Sequence, residues 1–301
     1  MSGGLALGLL TIRVTEFRRI AVLGPGLLGG SVALAVTKRH PGFSVVLWGR
    51  NQERVAEIRE AGFEHVTSDL ELAIKDAELI ILAVPVGAME DLGRRLIELG
   101  VAPGTLVTDV GSVKVHPHES LGKLMKEKGV TFIGSHPMAG SERSGFKAAH
   151  PDLFEGAPCI LTNDNELPDE EVNRLVGFWA GLGAQSAIMG AAEHDRLVAR
   201  ISHVPHVLAA VCALVALENE EDGKFAGRGL RDTSRVAGGD PLMWAEILME
   251  NRHQAVPPLR ESARVLERLA ELLEGGKEDA LIAVLEECQE RRQRLTKIDH
   301  E

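Results

Sequence analysis

The feature that most constrains the fold is a glycine pattern directly after a short apolar run. Gly24, Gly26 and Gly29 stand in G-x-G-x-x-G spacing within "RRIAVLGPGLLGGS". In a βαβ unit the first glycine makes the tight turn, the second lets backbone approach a pyrophosphate, and the third lets helix and strand pack closely. The helix N-terminus, with free N–H groups at Leu27 and Leu28, then faces the phosphates. The pattern predicts a dinucleotide site at these five residues.

Strand-like and helix-like segments alternate from residue 19 to about residue 188. The runs predicted as strands are "RIAVLG", "FSVVLWG", "LIILAVPV", "TLVTDVG", "TFIGSHP", "APCILTN" and "AQSAIMG". Amphipathic segments such as "NQERVAEIREAG" lie between several of them. This alternation predicts an α/β fold with a Rossmann-type doubly wound parallel sheet. We therefore expect a dinucleotide-binding domain over residues 1–188 and an all-helical substrate and dimerisation domain over residues 189–301.

The second half of the chain reads as helices only. "AAEHDRLVARISHVPHVLAAVCALVALENE" is one long helical pattern, with Pro205 as the place for a bend. The next helix is predicted to begin with Asp240 as N-cap and Pro241 at its first position. "PPLRESARVLERLAELLEGG" and "KEDALIAVLEECQERRQRL" follow as two more helices. Long helices with one apolar face usually bury it against a second copy, so we expect a homodimer through the C-terminal helices.

Charge and cysteine content exclude several classes of protein. The formal net charge is −11, from 33 basic and 44 acidic residues, and no basic block is present, so nucleic acid is not an expected partner. Cys159, Cys212 and Cys288 are far apart and odd in number, which favours neither a disulfide framework nor a metal site and suits a reducing cytoplasm. The opening "MSGGLALGLLTIRV" is too short to span a bilayer and is interpreted as a leader, with an added edge strand as an option. No membrane association is expected.

The end of the second predicted strand bears on the choice of cofactor. An NAD site normally has an acidic residue there, about 20 residues after the glycines, to hold the ribose 2′-hydroxyl. Here "VVLWGRN" has Gly49 at that place, followed by Arg50 and Asn51. Glycine and arginine leave space and positive charge for a 2′-phosphate. We expect NADP or NAD, with NADP favoured; the alternative is that Arg50 stacks on the adenine and both cofactors are accepted.

Two loops at the predicted sheet edge carry polar side chains. "TLVTDVGSVK" supplies Ser112, and "TFIGSHPMAGS" supplies His136. Both fall on the edge of the glycine loop, where ligands of open parallel sheets bind. A neutral imidazole is suited to accept the proton of a carbinol that loses hydride, and Ser112 would hydrogen-bond the same hydroxyl or fix the ring. Lys114 and Asp109 are predicted to be structural. The alternative for His136 is an ordinary surface turn.

The helical half carries two further polar clusters. Ser202 and His206 are four apart, on one predicted helical face, with His203 between them. They indicate packing with a backbone hydrogen bond, and their spacing does not make a metal site. Arg235 lies in a glycine-flanked segment. It is either a fork for a substrate carboxylate or a surface partner of Asp232.

The ordered segments "GPGLLGGS", "VTDVGSVK", "GSHPMAGSERSGF", "HDRLVARISHVPH" and "LRDTSRVAGGDPLMWAEILMEN" together resemble the prephenate/arogenate dehydrogenase family of tyrosine biosynthesis. The resemblance runs from about residue 19 to residue 252, and "GSHPMAGSE", "SHVPH" and "RDTSR" in this order carry its specificity. It implies the oxidative decarboxylation of a cyclohexadienol with NAD or NADP. The product would be 4-hydroxyphenylpyruvate from prephenate or tyrosine from arogenate, and the sequence does not decide between these substrates.

The resemblance also implies roles for individual residues. His136 matches the histidine that hydrogen-bonds the substrate hydroxyl, Ser112 the serine that assists it, and Arg235 the arginine that holds a carboxylate. The remaining matches form the pocket around the substrate, and they are His206, Ser202, His203 and Trp244. The chain departs from the family at Gly49–Arg50, where many members carry Asp.

Two other functions remain open from the sequence. One is a two-domain hydroxyacid dehydrogenase; many of those use a lysine from the helical half, and residues 191–218 contain none. The other is a non-catalytic dinucleotide sensor whose helices bind a partner, and such a protein would not depend on His136.

Overall fold

The computed structural model describes residues 17–141 and 143–298. The predicted leader at the N-terminus and Glu142 lie outside these residues.

The described residues contain nine strands in two sheets. In chain order β1 to β9 are Arg19–Leu23, Ser44–Trp48, Val66–Thr67, Leu79–Leu82, Leu106–Asp109, Thr131–Phe132, Gly134–Pro137, Pro158–Thr162 and Gln185–Met189. The first six form one parallel sheet in the order β3-β2-β1-β4-β5-β6. This is the strand order of a doubly wound dinucleotide-binding sheet, and it confirms the predicted fold class. The last three form a separate sheet, with β7 antiparallel and β9 parallel to β8.

Helices pack on the large sheet, and the described chain after β9 consists mainly of helices. The α-helices α1 to α13 are Leu27–Arg39, Gln52–Glu60, Leu70–Ile74, Met89–Glu98, Val115–Pro117, Lys123–Lys126, Asp169–Gly181, Ala191–Val198, Val204–Ala216, Arg228–Ser234, Pro241–Glu250, Arg252–Glu274 and Glu278–Ile298. A π-helical turn at Ala199–His203 joins α8 to α9. Helix α11 begins as predicted, with Pro241 in its first turn and the Asp240 carboxylate accepting from the Met243 N–H at 2.9 Å.

The predicted strand "TFIGSHP" is in fact two strands in two sheets. β6 ends the parallel sheet at Phe132, and after Ile133 the chain enters β7, where His136 lies opposite Ile160 of β8. The two-residue strand β3 was not predicted. By contrast, the continuous apolar run in β4 is buried along its whole length, as a central strand covered on both faces requires.

Contacts between Cα atoms divide the chain into two compact units, one ending at Asn251 and one beginning at Arg252. Helices α8 to α11 belong to the first unit. In the second, α12 and α13 pack on each other after a turn at Gly275 and Gly276, and Gly276 takes a positive φ of 58°. The expected division at residues 188/189 stays a prediction.

One helical run in the described residues, Ala191–Ala216, is long and apolar enough to cross a membrane, and 28% of its most apolar window is buried within the protein. Core helices of soluble proteins can have the same length and composition, so this run by itself does not assign the chain to a bilayer.

Candidate active site

The glycine loop between β1 and α1 has the shape that the sequence predicts. Gly24 has φ +124°, and a Cβ there would lie 2.1 Å from the Ala83 carbonyl oxygen. A Cβ at Gly29 would lie 2.0 Å from the Gly24 carbonyl oxygen, whereas one at Gly26 would meet nothing within 4 Å. Close packing therefore requires the outer two glycines, and the middle one borders open space. Gly26 caps α1 without a side chain and Leu27 and Leu28 form its first turn, so the helix N–H groups are available to an anion.

A cleft of about 450 Å³ opens beside this loop, at the carboxyl ends of β1, β2 and β4. Its lining is Gly24, Pro25, Gly26, Trp48, Arg50, Asn51, Arg54, Ala83, Val84, Pro85, Ala88, Asp91, Leu92 and Arg95. The strand order reverses at this place, which is where doubly wound sheets bind dinucleotides. The residues present thus fit an adenine dinucleotide, with three arginines and one carboxylate among those that line the cleft.

The ribose end of this cleft has a steric reason to lack the acidic residue of many NAD sites. A Cβ at Gly49 would lie 2.8 Å from Cγ of Pro25, whose ring cannot swing away. Arg50 follows at once and is exposed to the cleft, whereas the Asn51 side-chain oxygen caps α2 by accepting from the N–H groups of Glu53 and Arg54. The side chain of Asn51 is therefore held by the helix.

His136 is in a strand and is only 8% exposed, so the expectation of an open loop is wrong. The neighbouring Ser135 holds β7 over the end of β5. Its hydroxyl lies 2.6 Å from the Thr108 hydroxyl and accepts from the Trp179 indole at 3.1 Å, and its N–H donates to Asp109 at 3.2 Å. These bonds bring His136 to the carboxyl edge of the large sheet.

A chain of buried hydrogen bonds runs back from His136. Its Nδ1 lies 2.8 Å from Nε2 of His194, and Nδ1 of His194 lies 2.7 Å from the Asp195 carboxylate. That carboxylate also accepts from the backbone N–H groups of Lys114 at 2.7 Å and Val115 at 2.9 Å. His194 is completely buried and Asp195 nearly so. Asp195 therefore joins the loop after β5 to helix α8, and His194 joins α8 to β7.

Burial is the largest cause that holds the pKa of His136 well below its ordinary value, and His194 and Lys114 lower it further. A lowered pKa keeps the imidazole neutral at neutral pH. In the part of the chain that the structure describes, Nε2 of His136 has no hydrogen-bond partner. His136 is thus a neutral imidazole with one nitrogen bonded within the protein and the other available to a ligand.

The loop after β5 contains Ser112 in a half-buried bend. Two residues on, Lys114 is fully buried and its ammonium pairs with the carboxylate of Asp109, which is also fully buried. Asp109 in addition accepts from the Gly111 N–H at 2.8 Å. The pair therefore braces the loop that carries Ser112, in agreement with the structural role predicted for both residues.

His203 and His206 both contact Trp244. The His206 ring stacks on the indole with centroids 3.6 Å apart, and the His203 ring meets it edge-on at 6.2 Å. The sequence instead paired Ser202 with His206; Ser202 is half-buried in the π turn, which alters the helical phase ahead of Pro205.

Burial lowers the pKa of both histidines, that of His203 to about 4. The Val236 backbone opposes this lowering of the pKa for His206, and the buried Nδ1 of His206 has no partner among the described residues. An unpartnered buried ring nitrogen beside an aromatic wall suits a polar ligand group. No group of three or more potential metal ligands occurs in the part of the chain described.

Asn251 connects this cluster to His136. Its amide donates to the Asp195 carbonyl at 2.8 Å and lies 3.3 Å from Nδ1 of His203. Arg235 is exposed and begins a single 3₁₀ turn, Arg235–Gly238, which packs on α9 and contains the Val236 backbone that His206 contacts. The structure thus places Arg235 beside the His206 end of a connected set of residues that reaches His136.

Sequence reasoning missed five residues of these two regions, and they are His194, Asp195, Asn251, Arg54 and Arg95. The pair His194–Asp195 had a weak signal, because it lies in a run of four polar residues, Glu193 to Arg196, ahead of a long apolar helix. Asn251, Arg54 and Arg95 had none, since each reaches the site only through tertiary contacts.

Comparisons with known proteins agree with this arrangement. The family model for the prephenate dehydrogenase nucleotide-binding domain matches residues 32–188, and that for the prephenate dehydrogenase dimerization domain matches residues 190–287. Prephenate dehydrogenase of Lactococcus lactis is 34% identical over 84% of this chain and 70% of its own length. Cyclohexadienyl dehydrogenase of Zymomonas mobilis is 30% identical over 96% of this chain and 99% of its own.

A solved structure is also similar over nearly the whole chain. Prephenate dehydrogenase from A. aeolicus, in complex with hydroxyphenyl propionate and NAD+, superposes with a TM-score of 0.83 at 25% identity, covering 94% of this chain and 100% of that one. A dinucleotide cleft, a buried neutral histidine at its sheet edge and two family matches that together cover most of the sequence lead to one assignment. The chain belongs to the prephenate dehydrogenase family.

Proposed function

We propose that this enzyme oxidises and decarboxylates prephenate or arogenate, with NADP as the favoured cofactor, and that it works as a cytoplasmic homodimer in tyrosine biosynthesis. The observation that carries the proposal is the neutral, buried imidazole of His136, with one nitrogen bonded to His194 and the other without a partner among the described residues. A proton acceptor of this kind at the carboxyl edge of a dinucleotide-binding sheet is what oxidation of a carbinol requires.

The proton of the substrate hydroxyl is proposed to go to His136. A dinucleotide held by the glycine loop would supply the hydride acceptor for the carbon that bears the hydroxyl. Nε2 of His136 takes the hydroxyl proton as that carbon is oxidised. The C–C bond to the ring carboxylate then breaks, its electron pair completes the aromatic ring, and the phenolic oxygen takes the proton back. Ser112, in its braced bend, is proposed to hydrogen-bond the same hydroxyl.

The substrate is proposed to be held through its carboxylates and its ring. Arg235, at the start of the turn that contacts His206, is assigned to a carboxylate. The stacked pair of His206 and Trp244 supplies a flat wall with an unpartnered buried nitrogen, and His203 and Ser202 lie alongside. Because loss of carbon dioxide gives an aromatic ring, orientation and charge neutralisation by these groups suffice for catalysis, without a covalent nucleophile.

Charge in the dinucleotide cleft supports NADP. Arg50, Arg54 and Arg95 face one carboxylate, that of Asp91, and Gly49 has no space for the acidic residue that would select NAD. Guanidinium groups suit the recognition of a phosphate, and three of them line this cleft.

A comparison of two substrates with two cofactors tests the proposal. Prephenate and arogenate are each supplied with NADP and with NAD, and the formation of reduced nicotinamide is followed by absorbance. We expect turnover with at least one substrate, and a kcat/KM with NADP at least about tenfold above that with NAD. No reduced cofactor in any of the four combinations would end the proposal, and a preference for NAD would end its cofactor part.

A further inference from the structure

We propose that His194 and Asp195 are positioning residues that set the tautomer of His136, so that its Nε2 carries no proton and faces the substrate hydroxyl as an acceptor. The inference rests on the proposed function for its effect on turnover. The tautomer itself is independent of any activity.

Asp195 determines the direction of these hydrogen bonds, because a carboxylate only accepts hydrogen bonds. One of its oxygens takes the N–H of Lys114 and the other takes that of Val115, so two backbone donors hold the rotamer of this carboxylate. The nitrogen that faces it, Nδ1 of His194 at 2.7 Å, must therefore be the protonated one. Asp195 thus fixes which nitrogen of His194 carries hydrogen.

The tautomer of His194 determines that of His136. A neutral imidazole protonated at Nδ1 has a bare Nε2, which can only accept. Nε2 of His194 lies 2.8 Å from Nδ1 of His136, so Nδ1 of His136 must donate. In a neutral His136 the remaining nitrogen, Nε2, is then bare. The backbone N–H groups of Lys114 and Val115 thus donate to Asp195, as does Nδ1 of His194. Nδ1 of His136 donates in turn to Nε2 of His194.

Burial makes this order strict. His194 is 0% exposed and Asp195 is 3% exposed, so water does not compete for these nitrogens and a wrongly placed proton would leave two donors or two acceptors face to face. Asp195 also ties together the elements that present the substrate-facing groups. Its carboxylate holds the loop after β5 that contains Ser112, and it sits at the end of the bond chain from His136 on β7.

The experiment is nuclear magnetic resonance of the full-length enzyme labelled with ¹⁵N-histidine, at neutral pH, with the His136 signals identified by their loss in His136→Asn. Long-range ¹H–¹⁵N correlation spectra distinguish a protonated ring nitrogen from a bare one. We expect His136 to be protonated at Nδ1 and bare at Nε2 in the wild-type enzyme. Protonation at Nε2 would overturn the inference without any variant.

Two variants of His194 test the effect on turnover. His194→Leu removes the acceptor, so we expect the Nε2-protonated form of His136 to appear and kcat to fall about 10²–10⁴-fold while the substrate KM stays within about threefold. His194→Gln retains an oxygen that can accept from Nδ1, and is expected to recover most of the tautomer and at least about tenfold of the lost kcat. An unchanged tautomer and kcat in His194→Leu would overturn the inference.

Asp164→Asn is the matched control. Asp164 accepts from the Ala191 N–H at 2.8 Å and so also anchors the beginning of α8, but it has no bond to His194. We expect it to leave the His136 tautomer unchanged and kcat within about threefold. A shift of the tautomer in this control would show that general loosening of α8 is the cause, and would overturn the specific role of His194. If the wild-type enzyme turned over neither substrate, the proposed function would fail and the spectra would still decide the tautomer.

Discussion

Chemistry at the scale of single residues depends here on side chains that are neutral because they are buried. Burial lowers the pKa of His136, His203 and His206, so all three rings are available at neutral pH as uncharged donors and acceptors. Positive charge is then left to the exposed guanidinium of Arg235. We therefore propose that imidazole groups accept the proton and hydrogen-bond the substrate, and that the guanidinium group binds a substrate carboxylate.

A residue-scale prediction concerns Arg235. Arg235→Gln is expected to raise the substrate KM about 10–100-fold, because a charge-assisted hydrogen bond to a carboxylate contributes about 1.5–3 kcal/mol, with a smaller change in kcat. Arg235→Lys keeps a positive charge but lacks the planar guanidinium, so its substrate KM should lie between those of the wild type and of Arg235→Gln. Steady-state kinetics measure both. A KM that does not change in Arg235→Gln would remove the carboxylate role.

Stability should depend on pH through His203. Its pKa is about 4 in the folded protein and 6.5 in the unfolded chain, so between these values the unfolded chain binds the proton and the folded one does not. The free energy of unfolding must therefore fall as pH is lowered from 6.5 towards 4, by up to about 1.4 kcal/mol per pH unit from this residue. Urea denaturation at pH 7 and pH 5 should show that wild type loses about 2 kcal/mol more than His203→Asn. Equal losses in the two proteins would contradict the assigned pKa.

At the scale of elements, the proposed preference for NADP depends on the segment from the end of β2 into α2. Gly49 directly follows β2, Arg50 comes next, and Arg54 lies in the first turn of α2 and lines the same cleft. The double change Arg50→Ala with Arg54→Ala is expected to raise the KM for NADP about 10–100-fold and to change that for NAD by less than about threefold.

Arg94→Ala is the control for this cofactor prediction. Arg94 pairs with Glu90 on the outside of α4 and does not line the dinucleotide cleft, so its removal lowers the charge nearby without touching the site. Its KM values for both cofactors should match those of the wild type. An equal loss of NADP and NAD binding in the double variant would assign the arginines to the shared phosphates.

Sequence patterns predicted the elements well where an element is long and periodic. All seven apolar runs contain strands, and the Asp240–Pro241 start of α11 follows from local capping chemistry. The division of "TFIGSHP" between two sheets could not be predicted, because a strand of two residues has no period to detect. The division depends on Ser135, whose partners lie in two distant parts of the chain, Thr108 and Asp109 on β5 and Trp179 on α7.

Some features of the candidate site could likewise be predicted from the sequence, and others could not. The glycine loop and the absence of an acidic residue at position 49 could be read from spacing, and the structure adds the reason, the Pro25 ring. The hydrogen bonds that link Asp195 to His136 could not be predicted from the sequence. They depend on backbone N–H groups that lie about 80 residues away in sequence from the Asp195 carboxylate to which they donate. Tertiary contacts of this kind leave no local pattern.

At the scale of the whole molecule, an apolar face of α9 is exposed in the single chain. Leu214 and Val215 are 76% and 73% exposed, and they lie within the part of the chain that matches the family's dimerization domain. Two large aliphatic side chains at this exposure cost free energy in water, and a second copy of the chain would cover them. We expect the homodimer to use this face.

Charged substitutions test the dimer. Leu214→Glu with Val215→Glu should convert the protein to monomers in sedimentation velocity runs, because an interface does not tolerate buried unpaired carboxylates. Leu72→Glu on α3, at a leucine that is 57% exposed in the nucleotide-binding region, is the matched control and should leave the wild-type mass unchanged. A double variant that sediments with the wild type would place the interface elsewhere.

The most direct test of the whole account is the turnover of His136→Asn with prephenate and NADP, measured beside its affinity for NADP. Asparagine has nearly the polarity of the imidazole but does not accept a proton. The account predicts that kcat falls about 10²–10⁴-fold while the dissociation constant for NADP stays within about threefold of the wild type. Turnover within about threefold of the wild type would contradict it, because the histidine would then take no part in the chemistry.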